Sequence, residues 1–265
     1  TGDRRYLELA RAGVDYMRTN AVDRARGGMY TLEDPRTGSW GPRAELRNPQ
    51  ELAYGLLGMT FYYYLTRDPE VLADIEFVKD YVFREYYNPS LNALQWQLDD
   101  STGQSKEDKK LVAQLDQMNA YLVMITPLLP EPRRSEWTAD LVRLSRIMIG
   151  QFYSTNENVL FLQSNRPQDL DLGVTGTDFG HTIKALWMIR FTGLLAGDKE
   201  LIDFAESNGL RVLERAFLND SGSWASGLKA GGALDLDKSW WIYAELDQFA
   251  ATMSLIDPSY NTFLE

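Results

Sequence analysis

Cysteine is absent from the 265-residue sequence, and histidine occurs once, at His181. The absence of cysteine excludes disulfide bonds, thiolate metal ligands and a cysteine nucleophile. With a single histidine, a metal site would need oxygen ligands, and no acidic loop has the spacing of an EF-hand. A glycine-rich phosphate loop and a nucleotide-binding fingerprint are also lacking. We therefore expect a protein that works without a metal or another cofactor.

Positive charge is scarce as well, since 27 Lys and Arg against 38 Asp and Glu leave a net charge of −11. Such a surface repels nucleic acid, and no basic stripe interrupts it. Charged residues break every apolar stretch before it reaches the length of a membrane span. The helical pattern begins at Asp3 without a visible signal peptide, so we expect a cytoplasmic protein. A signal removed upstream would leave the same sequence, which keeps secreted and periplasmic locations open.

What the sequence does contain is an internal repeat. Four short β-like segments recur, each after a helical pattern, and their central residues are about 65 positions apart. The segments are residues 27–30, 93–96, 159–162 and 223–224. A period of this length is typical of repeat architectures, in which each unit contributes one supersecondary element.

Each repeat unit contains a predicted first helix before the segment and a predicted second helix after it. The first helices are residues 4–20, 70–87, 134–154 and 199–218; the second helices are residues 49–65, 108–129, 181–195 and 239–256. The second helices are apolar on most sides, which is typical of inner helices, whereas the first helices carry charge every few residues. We therefore predict an all-α fold, an α/α toroid with about four helical hairpins and short β-ribbons in the loops on one face. It would form a single domain over residues 1–265.

In such a toroid the inner helices begin at the mouth of a central cavity, where their free backbone N–H groups favour polar ligands. His181 lies in the first turn of the third inner helix. A histidine there serves as a general acid or base, or as a structural residue that bridges the loop backbone. Asp178 is the N-cap of this helix, an orienting partner of the imidazole, or both. Lys184 follows one turn later.

The fourth inner helix opens with Lys238, and Trp241 and Glu245 follow on one face because they are four residues apart. Trp240 points to a neighbouring face. A tryptophan ring stacks on the C–H face of a sugar while a carboxylate binds its hydroxyl groups. Core packing of one tryptophan with a Lys238–Glu245 structural contact is the alternative interpretation.

These two stretches resemble a known family. Residues 180–187, Gly-His-Thr-Ile-Lys-Ala-Leu-Trp, are similar to the Gly-His-x-x-Glu-x-x-Trp motif of the N-acylglucosamine 2-epimerase and cellobiose 2-epimerase superfamily. Residues 238–245 are similar to its Lys-x-Trp-Trp-x-x-Ala-Glu motif, and residues 27–30, which end at Tyr30, resemble its Gly-Gly-aromatic turn. The resemblance implies an (α/α)6 barrel that removes and returns a proton next to a sugar carbonyl, with two histidines as base and acid. His181 would be one of them, Trp241 would stack on the sugar, and Glu245 would support the site.

The chain departs from the family pattern at several points. Lys184 stands where the family usually has Glu, and Asn119 stands near the place where many relatives have a Met-His pair. The family's second catalytic histidine belongs to a C-terminal hairpin that would follow Glu265. Six units of about 65 residues would close the ring, so we expect about a third of it to be missing. A dimer partner or another protein would then cover the open edge.

Three functions stay open from the sequence. The first is a sugar epimerase or aldose–ketose isomerase acting on a small sugar or an oligosaccharide, whose second base is Lys184, a tyrosine or a residue outside this sequence. The second is a glycoside hydrolase or lyase with Asp178 and Glu245 as its carboxylates, about 5–9.5 Å apart; Asp116, Asp171 and Asp237 are less specific candidates. The third is a non-catalytic relative that binds a glycan or a protein partner.

Overall fold

Helices and short β-ribbons alternate along the chain in the computed structural model, which describes residues 2–30, 32–34, 36–41, 47–99, 104–105, 108–166 and 169–264. The chain divides into two compact units, Thr1–Trp137 and Thr138–Glu265, which are called here the N-terminal and the C-terminal unit. The boundary between them falls within one long helix, α6 (Arg133–Phe152).

The N-terminal unit contains two helical hairpins. Its helices are α1 (Arg4–Asn20), α2 (Pro49–Thr66), α3 (Pro69–Glu85), α4 (Leu111–Gln117) and the single turn α5 (Val123–Ile125). Its antiparallel ribbons pair β1 (Leu32–Asp34) with β2 (Ser39–Gly41), β3 (Tyr87–Asn88) with β4 (Ala93–Leu94), and β5 (Leu98–Asp99) with β6 (Gln104–Ser105). The predicted first β-segment is present as one bridge between Val22 and Met29.

The C-terminal unit repeats this arrangement. Its helices after α6 are α7 (Phe179–Ala196), α8 (Lys199–Ala216) and α9 (Trp240–Ser254), followed by a 3-10 helix at Pro258–Phe263. Its ribbons pair β7 (Tyr153–Ser154) with β8 (Val159–Leu160), β9 (Phe217–Leu218) with β10 (Ser223–Trp224), and β11 (Gly227–Leu228) with β12 (Leu234–Asp235). The predicted order of first helix, ribbon and second helix is therefore confirmed in this unit.

The connectors between repeats end one helix and start the next. Arg67 and Gly197 take left-handed backbone angles, with φ of 57° and 68°, and so terminate α2 and α7. Asp68 then caps α3, and its side chain accepts the N–H of Glu70 at 3.0 Å. Asp198 caps α8 in the same way through the N–H of Leu201.

The second inner helix differs from its prediction as one continuous helix over residues 108–129. It begins at Leu111, and five residues, Met118–Leu122, form a π-helical turn after α4. A 3-10 turn at Thr126–Leu128 then ends it, because Pro127 has no N–H with which to continue the helix. The irregular turns have no periodicity signal in the sequence, since their apolar residues match an α-helix equally well.

Three inner helices, α4, α7 and α9, hold a preceding ribbon through their fourth helical residue. In α4 this residue is Gln114, whose amide accepts from the N–H of Leu94 at 2.9 Å and donates to its C=O at 2.6 Å. In α7 it is Thr182, whose hydroxyl accepts from the N–H of Leu160 at 3.1 Å. In α9 it is Tyr243, whose hydroxyl donates to the C=O of Trp224 at 2.7 Å. These bonds place each ribbon at the start of an inner helix.

The number of buried residues differs most between α7 and α1. In α7 most residues are buried, and Phe179, Ile183 and Leu186 belong to the hydrophobic core of the C-terminal unit. In α1 a single residue, Val14, is buried. These two helices follow the predicted division, whereas α9, a predicted inner helix, has five buried residues among 15 and α3, a predicted outer helix, has eight among 17.

Candidate functional site

The imidazole of His181 is held by the residue that caps its helix. Asp178 accepts the backbone N–H of His181 with Oδ1 and contacts Nδ1 of the ring with Oδ2, both at 2.6 Å. The side chain of His181 is 22% exposed and that of Asp178 is 18% exposed, so the pair lies near the surface without being fully solvated. Asp178 therefore acts both as the helix cap and as the partner that fixes the ring.

Asp178 is itself positioned by the backbone of a neighbouring ribbon. It forms an antiparallel bridge with Gly227, and the N–H of Phe179 donates to the C=O of Ser226 at 2.9 Å. A Cβ atom at Gly227 would lie 3.0 Å from the Cα of Asp178 and from the C=O oxygen of Thr177. The close approach of the two strands thus requires glycine at this position.

Trp241 contacts the ring of His181 from the fourth inner helix. The two ring centroids are 4.9 Å apart at an interplanar angle of 68°, an edge-to-face arrangement. Gly180 permits this contact, because a Cβ atom there would lie 2.6 Å from Cζ3 of Trp241 and 2.7 Å from Ile242. The half-buried indole therefore forms a wall beside the imidazole.

Glu245 is held by Trp187, a residue that sequence reasoning did not select. The indole N–H of Trp187 donates to Oε2 of Glu245 at 3.0 Å. The two residues lie 58 positions apart, so no local spacing predicts the bond. The available signal was indirect, since Trp187 closes the same octapeptide that contains His181.

Lys184 lies on α7 one turn after His181, and its side chain is buried, with the residue 7% exposed. A buried lysine is uncommon, because an ammonium group loses its hydration when it is removed from solvent. Its position places an amine on the same helix as the imidazole, three residues further along.

Two predicted site residues lie apart from this group. Trp240 is 84% exposed at the first position of α9. The amine of Lys238 donates to the hydroxyl of Ser223 and to the C=O of Trp224, both at 3.3 Å. Lys238 thus stabilises the β9–β10 ribbon through two residues of β10.

The remaining candidates belong to the N-terminal unit. Asn119 is half-buried in the π-helical turn, and Tyr30 is half-buried after the bridge at Met29. Asp116 is 1% exposed, and its carboxylate accepts from Nε2 of Gln50 at 2.8 Å and from the hydroxyl of Tyr54 at 3.4 Å. This unit therefore has its own buried carboxylate, held by neutral donors.

The described residues contain no group of three or more Asp, Glu or His side chains placed to bind a metal ion. Within the same residues, no helix combines the length and the hydropathy needed to cross a bilayer.

Comparisons of sequence connect the chain to a sugar-modifying enzyme. No protein-family model matches it. The cellobiose 2-epimerase of Ruminococcus albus is 24% identical over 264 residues, an alignment that covers 90% of this chain and 61% of the relative. The chain thus spans about 61% of the length of the curated relatives it matches.

Comparisons of structure give the same fold. The cellobiose 2-epimerase of Bacillus thermoamylovorans superposes with a TM-score of 0.81 at 15% identity, covering 99% of this chain and 68% of that one. A D-mannose isomerase superposes with a TM-score of 0.79 at 16% identity, covering 100% and 68%. The predicted all-α fold of the α/α-toroid class is confirmed, with four helical hairpins in the described residues. The motifs and the sequence similarity relate the chain to the N-acylglucosamine 2-epimerase and cellobiose 2-epimerase superfamily, and its fold is that of the superposed structures.

Proposed function

We propose that the protein moves a proton at the carbon next to the carbonyl group of a sugar, with His181 as the acid–base group. The fixed imidazole is the observation that carries this proposal. When the Nδ1–H of His181 donates to the carboxylate of Asp178, at 2.6 Å, the neutral ring presents Nε2 as a base. A histidine held in one tautomer by a carboxylate is the usual arrangement of an acid–base residue.

The residues around the imidazole supply groups that suit a sugar. Trp241 lies edge-on to His181 and offers an indole ring for the C–H face of a pyranose. Glu245 is oriented by Trp187 and offers carboxylate oxygens to hydroxyl groups. A polar ring next to an aromatic wall favours a carbohydrate over an apolar substrate.

One histidine is sufficient for aldose–ketose isomerisation. His181 would take the proton from C2 of the open-chain aldose, which forms an enediol as the carbonyl oxygen at C1 gains a proton. The same imidazolium would return its proton to C1 on the same face, while the hydroxyl at C2 loses its proton and becomes the carbonyl group. Water carries the proton from the C2 hydroxyl to the C1 oxygen, so reactant and product have the same atoms and the same overall oxidation state, and no second base is needed at carbon.

Epimerisation at C2 needs one more acid–base group than isomerisation does. The proton must leave from one face of C2 and return to the other, so a second acid–base group has to lie across the sugar. Within the C-terminal unit, Lys184 is the nearest candidate along the helix, one turn from His181. We therefore favour isomerisation as the reaction of the described residues and keep epimerisation as the second candidate, which depends on Lys184.

The hydrolase alternative is less compatible with the observed contacts. Asp178 uses Oδ1 for the backbone of His181 and Oδ2 for its ring, so both oxygens already have partners. A glycosidase needs one carboxylic acid and one carboxylate directed at the glycosidic bond. Asp178 is more suitable as a partner of His181 than as one of these two groups.

The test uses deuterium exchange and product analysis together. The protein would be incubated with mannose, glucose, N-acetylmannosamine and cellobiose in heavy water, and the sugars analysed by NMR. We expect deuterium at the carbon next to the carbonyl group, with a ketose product for isomerisation and a C2 epimer for epimerisation. His181→Gln should abolish exchange while sugar binding and the circular dichroism spectrum stay unchanged.

The matched control is Lys184→Met, which keeps a long side chain in the buried position and removes the amine. Isomerisation by His181 alone predicts that this variant still forms the ketose, whereas epimerisation through Lys184 predicts loss of the epimer. Equal exchange in His181→Gln and the unmodified protein would contradict the proposal. Binding without exchange in the unmodified protein would support the non-catalytic function instead.

A further inference from the structure

The first two helices of the N-terminal unit carry an exposed apolar surface. Six large apolar side chains on adjoining sides of α1 and α2 are between 42% and 72% exposed. We call this surface the hairpin face, and its residues are Tyr6, Leu9, Tyr16, Tyr54, Phe61 and Leu65. Exposed apolar side chains are common singly, but a concentration of them on two consecutive helices marks an interaction surface.

The residues of the hairpin face follow the spacing of a helix–helix seam. Positions 6, 9 and 16 of α1 are three and seven residues apart, and positions 54, 61 and 65 of α2 are seven and four apart. Steps of three, four and seven residues place each set on one side of its helix, where a second helix packs. The single buried residue of α1 is Val14, so most of its apolar side contacts solvent.

The two sets of residues adjoin along a groove between the helices. A cavity of about 370 Å³ is lined by Gly13 of α1 and Tyr54 of α2, and a second of about 400 Å³ is lined by Tyr6 and Leu65. Ala10 lines both cavities, so the groove is continuous. The start of α1 thus meets the end of α2, which makes the pair an antiparallel hairpin. The ten residues from Tyr6 to Tyr16 give the groove a length of about 15 Å.

The hairpin face is large enough to form half of a stable interface. At about 200 Å² for each full side chain, its six side chains expose roughly 700 Å² together. The largest apolar patch of a typical monomer is about 300–600 Å². Each partner in a standard protein interface contributes about 800 Å². The area of the hairpin face is therefore close to what a stable dimer needs.

The charge pattern favours a second copy of this chain as the partner. All six residues of the hairpin face are uncharged, so a two-fold axis through it brings no like charges together. Arg11 lies about 160° around α1 from Leu9 and pairs with Asp15. The chain as a whole has a net charge of −11, so charged surfaces of two copies repel each other. An uncharged apolar face is the surface on which two copies can meet.

We propose that two copies of the chain associate through their hairpin faces, so that α1 and α2 of both copies form a four-helix bundle across a two-fold axis. An antiparallel helical hairpin with one apolar face is half of such a bundle. Each copy supplies a helix for the groove of the other, because the exposed side of α1 has the same length as the groove. The inference is independent of the reaction at His181, which belongs to the C-terminal unit.

The test measures association of the complete chain by analytical ultracentrifugation between about 1 and 100 µM, where we expect a monomer–dimer equilibrium. Leu9→Glu and Phe61→Glu each place a charge on the hairpin face and should raise the Kd of the dimer at least about a hundredfold. Both side chains are exposed in one copy, so the circular dichroism spectrum should stay unchanged. Leu255→Glu is the matched control, the same change at an 87% exposed position of the C-terminal unit, and should leave the Kd unchanged.

Cross-linking locates the interface independently, since the chain has no cysteine of its own. A short bis-maleimide should join Leu9→Cys to its copy. Arg11→Cys, on the opposite side of α1, should give little cross-linked product under the same conditions.

A chain that stays monomeric at about 100 µM would overturn the inference and leave the hairpin face to a different helical segment or another protein. A dimer that Leu255→Glu disrupts and Leu9→Glu does not would place the interface elsewhere and reject the proposal. Assemblies that keep growing beyond the dimer with concentration would contradict the two-fold arrangement. Equal cross-linking of Leu9→Cys and Arg11→Cys would likewise count against it.

Discussion

The beginnings of α4 and α7 occupy the same place in successive repeats, yet they differ in what their first residues do. In α7 the cap Asp178 bonds to the backbone N–H of His181, and the helix continues regularly to Ala196. In α4 the cap position is Lys110, whose side chain forms no capping bond, and the regular helix ends after seven residues. Counting from the cap, the third helical residue is His181 in α7 and Ala113 in α4.

The fourth residue of both helices has the same task. Gln114 and Thr182 each bond to the backbone of the ribbon that precedes their helix, and Tyr243 of α9 does so too. The structural requirement of the repeat is thus met at the fourth position, by three different side chains. The cap and the third position are not needed for this bond, so these two positions are free to differ between repeats, as Asp178 and His181 differ from Lys110 and Ala113.

The largest effect is expected when Gln114, which bonds to the ribbon residue Leu94, is replaced. Gln114→Leu would leave both the N–H and the C=O of Leu94 buried without partners, at a cost of about 3 kcal/mol in the free energy of unfolding. Thr182→Val would affect one N–H, and Tyr243→Phe one C=O, so each should cost about 1 kcal/mol. Denaturant unfolding of the three variants measures this order. A cost for Gln114→Leu no larger than that of Tyr243→Phe would contradict the shared anchoring role.

A second prediction compares glycines in two inner helices. Gly180→Ala would push a Cβ atom against Trp241 and Ile242, and we expect it to destabilise the protein by about 2 kcal/mol. Gly58→Ala, within α2, meets no atom within 4 Å and should stabilise by about 0.5 kcal/mol through helix propensity. Thermal unfolding tests the contrast, which fails if both substitutions change stability in the same direction.

A third prediction separates the two tasks of Asp178. Asp178→Ala should cost about 1 kcal/mol, because it removes the helix cap. Asp178→Asn keeps a capping oxygen and should change stability by less than about 0.5 kcal/mol, since asparagine is an equally good cap. Both substitutions should lower deuterium exchange at least about tenfold, because the ring loses its carboxylate partner. Full exchange in Asp178→Asn would show that the imidazole needs the position of this side chain and not its charge.

Local spacing explains which parts of this site were predictable from the sequence. Asp178 and His181 are three residues apart, and Trp241 and Glu245 are four apart, so helical geometry alone places each pair on one face. The helices themselves begin and end near proline, glycine and aspartate, which are clear signals at Asp68 and Gly197.

Contacts between distant residues had no such signal. The bond between Trp187 and Glu245 joins two helices 58 residues apart, and periodicity does not specify which residues face each other across an interface. The exposure of Trp240 could not be predicted from the sequence for a related reason. Spacing predicts that it points away from Trp241, but only tertiary packing decides which of the two faces solvent.

The smallest predicted effect contrasts the charge pairs of the two units. In the N-terminal unit the side chain of Asp74 is 6% exposed and pairs with Arg24 at 2.5 Å and Arg18 at 2.6 Å. Burial alone would raise the pKa of Asp74, but the hydrogen bonds from both arginines outweigh it and hold the pKa below its ordinary value of 3.8. In the C-terminal unit the pair of Arg146 and Asp198 is more exposed.

A carboxylate whose pKa is lower in the folded state binds protons more tightly in the unfolded state. The stabilisation by Asp74 is therefore complete above the unfolded pKa near 3.8 and is lost as the pH falls through the lower folded value. Hydrogen exchange read by peptide should show the α1–α3 segment losing protection first as the pH falls below 4. Asp74→Asn should reduce its protection at pH 7 and flatten this pH dependence, whereas Asp198→Asn should leave it unchanged. An equal slope in Asp74→Asn and the unmodified protein would assign the acid sensitivity to other carboxylates.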